Sequence, residues 1–175
     1  MTQSGNDQEI RPARELTKRK DILWLGKDDF VEIVPSLFPI PNVVLDIGCG
    51  IYPQRYVVPK VHICCEPYDE YYEPMKKNMQ VLPQRTWVVL PATWAETMSL
   101  LPEKSVDAMF LVDVIEHLTK EEGSALLPQA VEKTEGFIAI FTPFGFMPQS
   151  HPDGIDGWGL HGADWQEHRS GWLPD

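Results

Sequence analysis

Five short runs of apolar, largely β-branched residues constrain this chain more than anything else in it. They are Val43 to Ile47, Val61 to Glu66, Thr86 to Leu90, Val106 to Val112 and Phe137 to Thr142. None alternates apolar with polar residues, as a strand with one wet face does. Runs buried on both faces belong to a parallel sheet with helices on each side. Helix-forming stretches stand between them: Asp69 to Asn78, a short turn near Trp94 to Leu101, and Lys120 to Glu135. The last opens with a capping box, Thr119 with Glu122, is expected to kink at Pro128 and to stop at Gly136. Ahead of the first run, Phe30, Val31 and Val34 recur at helical spacing behind Asp28 as a cap, and Pro35 and Pro39 are expected to end that helix. Strands alternating with helices predict a doubly wound α/β domain.

The chain has 175 residues, enough for one domain with a real core. Its formal charge of −11 argues against a general binder of phosphate backbones, so no nucleic-acid partner is expected. No segment approaches the roughly 20 apolar residues of a spanning helix, and the start, MTQSGNDQEI, is not a secretory signal. Cys49, Cys64 and Cys65 are too few and too close for a disulfide framework, and a reduced, cytoplasmic protein is expected. Residues 1–22 read as a polar tail, with a basic cluster at Lys18, Arg19 and Lys20.

At the end of the first run stands Asp46-Ile47-Gly48-Cys49-Gly50. A glycine turn at the carboxyl end of a first parallel strand lets backbone approach a ligand, and open α/β sheets bind ligands beyond those ends. Glu66 closes the second run, roughly 20 residues further on, where an acid can accept both hydroxyls of a ribose. Together these predict a nucleoside-cofactor site. The turn lacks the full G-x-G-x-x-G, and no Walker sequence occurs, so a pyrophosphate cofactor is disfavoured.

The segments VVLDIGCG, ICCEP, VDAMFLVDVIEHL and FTPFG, from about Val43 to Phe146, resemble the class I S-adenosylmethionine-dependent methyltransferases. WQEHRSGW, Trp165 to Trp172, also resembles a segment of the broader methyltransferase-domain group. The resemblance implies a Rossmann-like, mostly parallel sheet in the order 3-2-1-4-5, with S-adenosylmethionine as cofactor and S-adenosylhomocysteine as product. It implies that Gly48, Cys49 and Gly50 meet the methionine moiety, with Asp46 holding the turn or reaching the amino group, and Glu66 the ribose. Pro67 or Tyr68 would flank the adenine, Ala92 and Thr93 would contact its edge, and Asp113 would face the reacting centre. The chain departs from the pattern at Tyr52, where another glycine is common, and at Pro91-Ala92-Thr93, where an acid is common. Pro53 and Pro59 limit the first crossover helix to two turns at most. The family sheet usually has seven strands; the two C-terminal strands are missing here, so the chain is expected to be either cut short or a minimal form.

His117 lies just past the fourth strand, as a general base or as a residue holding the loop. His168, with Arg169, is placed to meet an anionic acceptor. The spacings of His151, Asp153, His161, Asp164 and His168 match no compact ligand motif, so no metal site is expected. His117 and His168 are therefore the candidate catalytic residues. From Pro143 to Asp164 the chain is rich in Gly, Pro, Asp and aromatics without periodicity, which reads either as a lid or as disorder. Trp165 and Trp172 are expected to pack into the body or, second, to stack on substrate. The organisation expected is a tail at 1–22, a cofactor-binding domain at 23–142 and a lid at 143–175 on the same domain. The function expected is methyl transfer to a small-molecule or sugar-like acceptor, with a non-catalytic binding or assembly module as the alternative. The fifth run would be an open sheet edge, to be covered by the 143–172 segment or by a second subunit in a homodimer.

Overall fold

The computed structural model describes residues 25–173, and the basic cluster of the N-terminal tail lies outside them. Strands β1 (Val43–Ile47), β2 (Val61–Cys65), β3 (Thr86–Leu90), β4 (Val106–Val112) and β5 (Thr134–Phe141) form one parallel sheet in the order β3-β2-β1-β4-β5. Successive side chains of a strand point to opposite faces. Val44 of β1 and Ala108 and Phe110 of β4 accordingly face α1 (Lys27–Leu37), where Phe30 and Val34 pack on them. Leu45, Ile47, Met109 and Leu111 face the other way, onto Met98 of α3 (Trp94–Leu100) and Leu126 and Ala130 of α4 (Lys120–Lys133). Helix α2 (Tyr72–Gln80) packs Met75 and Met79 on Cys64. The sheet is sandwiched as its apolar runs require, except along its outer strands: in β3, Thr86 and Val88 are exposed, and β5 carries exposed Glu135, Gly136 and Ile140.

Local differences from the sequence reading have physical causes. Helix α1 begins at Lys27 behind Gly26 rather than behind Asp28, which instead sits with Asp29 in the first turn, where carboxylates favour the helix dipole. It runs through Pro35 to Leu37; the proline forgoes one backbone bond and crowds the carbonyl four residues back, and the helix ends two residues beyond it. A tight turn at Asp69–Tyr71 precedes α2, and the turn near Trp94 is a full helix with its own capping box, Thr93 with Glu96. Helix α4 has the expected box and continues past Pro128, but it gives way to β5 at Thr134, three residues before the strand was expected. Gly136 therefore ends no helix. A Cβ there would lie 2.5 Å from the Asp107 carbonyl oxygen, beside a register shift between β4 and β5. The glycine permits a close strand approach.

The largest difference lies between β1 and β2. Residues 48–60 form no helix at all. Pro53 and Pro59 remove donors, and the backbone is tied down by side chains instead. Asp46 Oδ2 accepts from the Gln54 N–H (2.7 Å), the Gln54 side chain pairs with both polar groups of Val57, and Asn78 Nδ2 donates to the Ile51 carbonyl (2.7 Å). The 143–172 segment does not cover the β5 edge as expected. It crosses the carboxyl ends of the strands, and among the described residues no strand pairs with the outer edge of β5.

Candidate functional site

Gly48 and Gly50 adopt φ of 58° and 55°, a region L side chains rarely enter, so the chain can reverse tightly after β1. Two bonds hold the turn to the neighbouring strand. The Gly48 N–H donates to the Cys65 carbonyl (2.8 Å), and the Gly50 N–H donates to Glu66 Oε2 (2.9 Å). Glu66 Oε1 accepts from the Tyr68 N–H (2.9 Å), so each carboxylate oxygen is held by one backbone donor and keeps a lone pair for another. Burial pushes the Glu66 carboxyl up to about 7, against the pull of these two donors.

Asp46 carries the turn from below. Its Oδ2 takes both the Gln54 N–H and His62 Nε2 (3.1 Å), all three residues being buried. His62 Nδ1 faces Arg85 Nη1 (3.1 Å), which can only donate. Burial lowers the His62 pKa, but the bond from Nε2–H to the Asp46 carboxylate outweighs it, and the imidazole is raised to about 9. Trp87 stacks on the ring and Arg85 lies over Trp87, which fixes the chain of contacts from the β3 edge to the turn.

Beside the turn lies a cavity of about 900 Å³. Asp46, Gly48, Cys49, Asp113, His117 and His168 all border it, so the structure brings six of the sequence-selected residues together from three separate stretches. Glu66 sits one bond behind it, only 4% exposed, and Pro67 follows at the end of β2. Ala92 and Thr93 do not line the cavity. Thr93 is engaged with Glu96 as the cap of α3, and the Ala92 carbonyl accepts from Cys65 Sγ (3.2 Å). Asp113 takes a left-handed backbone (φ 51°), its N–H donating to the Phe141 carbonyl (2.8 Å).

The far wall is built by a turn at Ile115–His117 and by the late segment. The Arg169 and Ser170 N–H groups donate to the Glu116 carbonyl (2.7 and 3.0 Å), and Ser170 Oγ and Trp172 Nε1 donate to that of Ile115. These bonds bring His168, 8% exposed, against His117, with ring centroids 4.9 Å apart. His117 Nδ1 meets the Glu167 carbonyl (3.2 Å) and His168 Nδ1 that of Met147 (2.6 Å). Carbonyls only accept, so both rings carry a proton on Nδ1, and Nε2 is the nitrogen these two bonds leave over on each. Burial holds His117 down to about 4, so it stays neutral at physiological pH. Glu116, 2% exposed, takes Thr142 Oγ1 on Oε2 (3.0 Å), while its buried Oε1 has no hydrogen-bond partner among the described residues. Burial first, and the nearby Asp113 carboxylate second, push its carboxyl up to about 7.

Sequence reasoning named His117 and passed over Glu116, although the pair is adjacent on one turn. It also passed over Tyr71 and Asp156. Tyr71 Oη donates to Asp156 Oδ2 (2.6 Å), and Asp156 collects the N–H groups of Trp158, Leu160 and Gly162. This places the Trp158 indole directly on Gly50, where even a Cβ would meet it at 2.3 Å. Phe144, Phe146 and Trp165 are exposed rather than packed, whereas Trp172 packs on Gly123 and under the Lys120 ammonium (3.6 Å).

No protein-family model and no curated protein matches the chain. Solved structures similar to it include a SAM-dependent methyltransferase from Archaeoglobus fulgidus (20% identity, TM-score 0.48, covering 65% of this chain and 53% of that one). A putative RNA methyltransferase from Pyrococcus horikoshii (19%, 0.47, 61% and 54%) and the YcgJ protein of Bacillus subtilis (15%, 0.47, 67% and 52%) are similar at the same level. The chain spans about half the length of each of these three proteins.

Proposed function

We propose that this chain binds S-adenosylmethionine across the carboxyl ends of β1, β2 and β4 and transfers its methyl group to a small, hydroxyl-bearing acceptor, sugar-like in class. One observation carries the reading. The left-handed glycine turn is latched to Glu66 through Gly50, and the same turn forms the floor of a cavity that ends at His117 and His168. The backbone turn suits the methionine end of the cofactor, and the spare lone pairs of Glu66 suit a ribose diol. The residues beyond, His117 and His168, border the same cavity, where they would orient an acceptor hydroxyl. Methyl transfer from a sulfonium depends mainly on in-line placement in a site that excludes water. In this reading residues 23–142 are the cofactor-binding body and 143–175 its lid. Three unpaired cysteines suit a reducing, cytoplasmic setting.

A second reading is a binding or assembly module that performs no chemistry. Trp158 on Gly50 and the burial of Glu66 favour it, since both stand where a cofactor would lie. Titration calorimetry with S-adenosylhomocysteine tests binding, with Gly48→Arg expected to abolish it. Transfer of labelled methyl from S-adenosylmethionine to a panel of sugars, phenols and ribonucleotides separates the two readings. Labelled product supports the enzyme; tight cofactor binding without any product supports the module; no binding at all ends both.

A further inference from the structure

We infer that Glu116, His117 and His168 form a divalent-cation site at the far end of the cavity. One ligating atom from each lies within 4.8 Å of those of the others. The two Nδ1 atoms are spent on the carbonyls of Glu167 and Met147, which orients both rings and leaves Nε2 over on each. Glu116 Oε1 is the independent sign. It is a buried carboxylate oxygen in a residue 2% exposed, it has no hydrogen-bond partner among the described residues, the residue lines the cavity, and the Asp113 carboxylate faces the same carboxyl group. Buried polar atoms are nearly always satisfied, and a cation satisfies this one.

The structure contains a useful contrast. Asp46, His62 and Cys64 are gathered as closely. There, however, Nε2 of His62 is engaged with Asp46 and Nδ1 lies against Arg85, so no nitrogen is left for a metal. Among the described residues, only the Glu116 cluster combines two histidines with a buried carboxylate oxygen that lacks a hydrogen-bond partner. Sequence spacing within residues 151–168 misses it, because its ligands come from the turn after β4 and from a segment about fifty residues later, joined by the Arg169 and Ser170 bonds to the Glu116 carbonyl.

Two imidazoles and one carboxylate select a borderline transition cation, Mn²⁺, Co²⁺ or Zn²⁺, over Mg²⁺ or Ca²⁺, which prefer oxygen alone. Three protein ligands leave positions open toward the cavity. On the methyl-transfer reading, on which this role rests, an acceptor hydroxyl would take one of them. Bound to the cation it becomes more acidic and loses its proton to water at the cavity mouth. The oxygen then forms its bond to the methyl carbon as the carbon–sulfur bond breaks, and that electron pair returns to sulfur, leaving a neutral thioether.

The test uses chelator-treated full-length protein and MnCl₂, with bound and free ion resolved by electron paramagnetic resonance. One site per chain is expected, with Kd below about 100 μM. Glu116→Gln and His168→Gln should each weaken it by about tenfold or more. Pulsed resonance on the wild-type Mn²⁺ complex needs no variant, and couplings to two imidazole nitrogens are expected. Absence of a site tighter than about 1 mM, or a bound ion without nitrogen coupling, overturns the inference. S-adenosylhomocysteine calorimetry on the same sample keeps the two readings apart. Mn²⁺ bound without cofactor binding leaves the site and ends the methyltransferase reading, and the reverse result does the opposite.

Discussion

At the scale of the residue, Glu66 is the group whose chemistry is most exposed to test. Its neighbours pull in opposite directions, with burial raising its pKa to about 7 and two backbone donors resisting. As the acceptor for a ribose diol it must be ionised. Affinity for S-adenosylhomocysteine should therefore fall as pH drops through 7, by about tenfold between pH 8 and pH 6, a single linked proton. Glu66→Gln should bind weakly and flatten that profile, because an amide does not titrate. Calorimetry across pH checks both, and a flat wild-type profile would remove Glu66 from the cofactor site. The sign for folding runs the other way. An acid whose folded pKa is raised from 4.5 to about 7 keeps its proton longer in the folded chain. The stability this represents is present below pH 4.5 and is lost as pH rises through 7.

At the scale of the element, the sheet was legible because its central strands, β1, β2 and β4, are covered on both faces and so read as unbroken apolar runs. Parallel direction followed from the doubly buried runs, the order from the family resemblance, and the capping box at Thr119 placed α4, whereas the box at Thr93 went unread and α3 was expected only as a turn. The first crossover was not legible. Its prolines announced a short helix, but whether 48–60 would be helical depended on Asp46, Gln54 and Asn78 meeting the loop from other elements, which no local pattern records. Gly136 was misread for a similar reason. As a helix stop it would tolerate replacement; as the point where β5 passes the Asp107 carbonyl it does not. Gly136→Ala should thus separate β4 from β5 locally and cost about 1–3 kcal/mol. Urea unfolding followed by circular dichroism measures this, and an unchanged midpoint would return the glycine to the role of a simple terminator.

At the scale of the whole molecule, the site joins a half that sequence shows to a half that it hides. The glycine turn, Glu66 and Asp113 lie on or beside strands and could be placed by counting. The other wall is assembled from side-chain and backbone bonds between segments far apart, Tyr71 with Asp156 and Glu116 with Arg169 and Ser170, so only the fold reveals it. The consequence is mechanical. Tyr71 Oη on Asp156 fastens the late segment to the body and sets Trp158 on Gly50, above the buried Glu66. A ribose that reaches Glu66 must move that indole. Binding of S-adenosylhomocysteine should therefore change tryptophan fluorescence, and Trp158→Phe should remove most of the change. Tyr71→Phe removes one hydrogen bond to a carboxylate, worth about 1.5–3 kcal/mol, but leaves Asp156 its three backbone donors. The segment should remain folded yet open more often. Stopped-flow fluorescence should then show a faster on-rate in Tyr71→Phe, and limited proteolysis should cut first between residues 143 and 162. An on-rate equal to the wild type would mean that the cofactor enters without lifting Trp158, and that the late segment is a fixed wall rather than a lid.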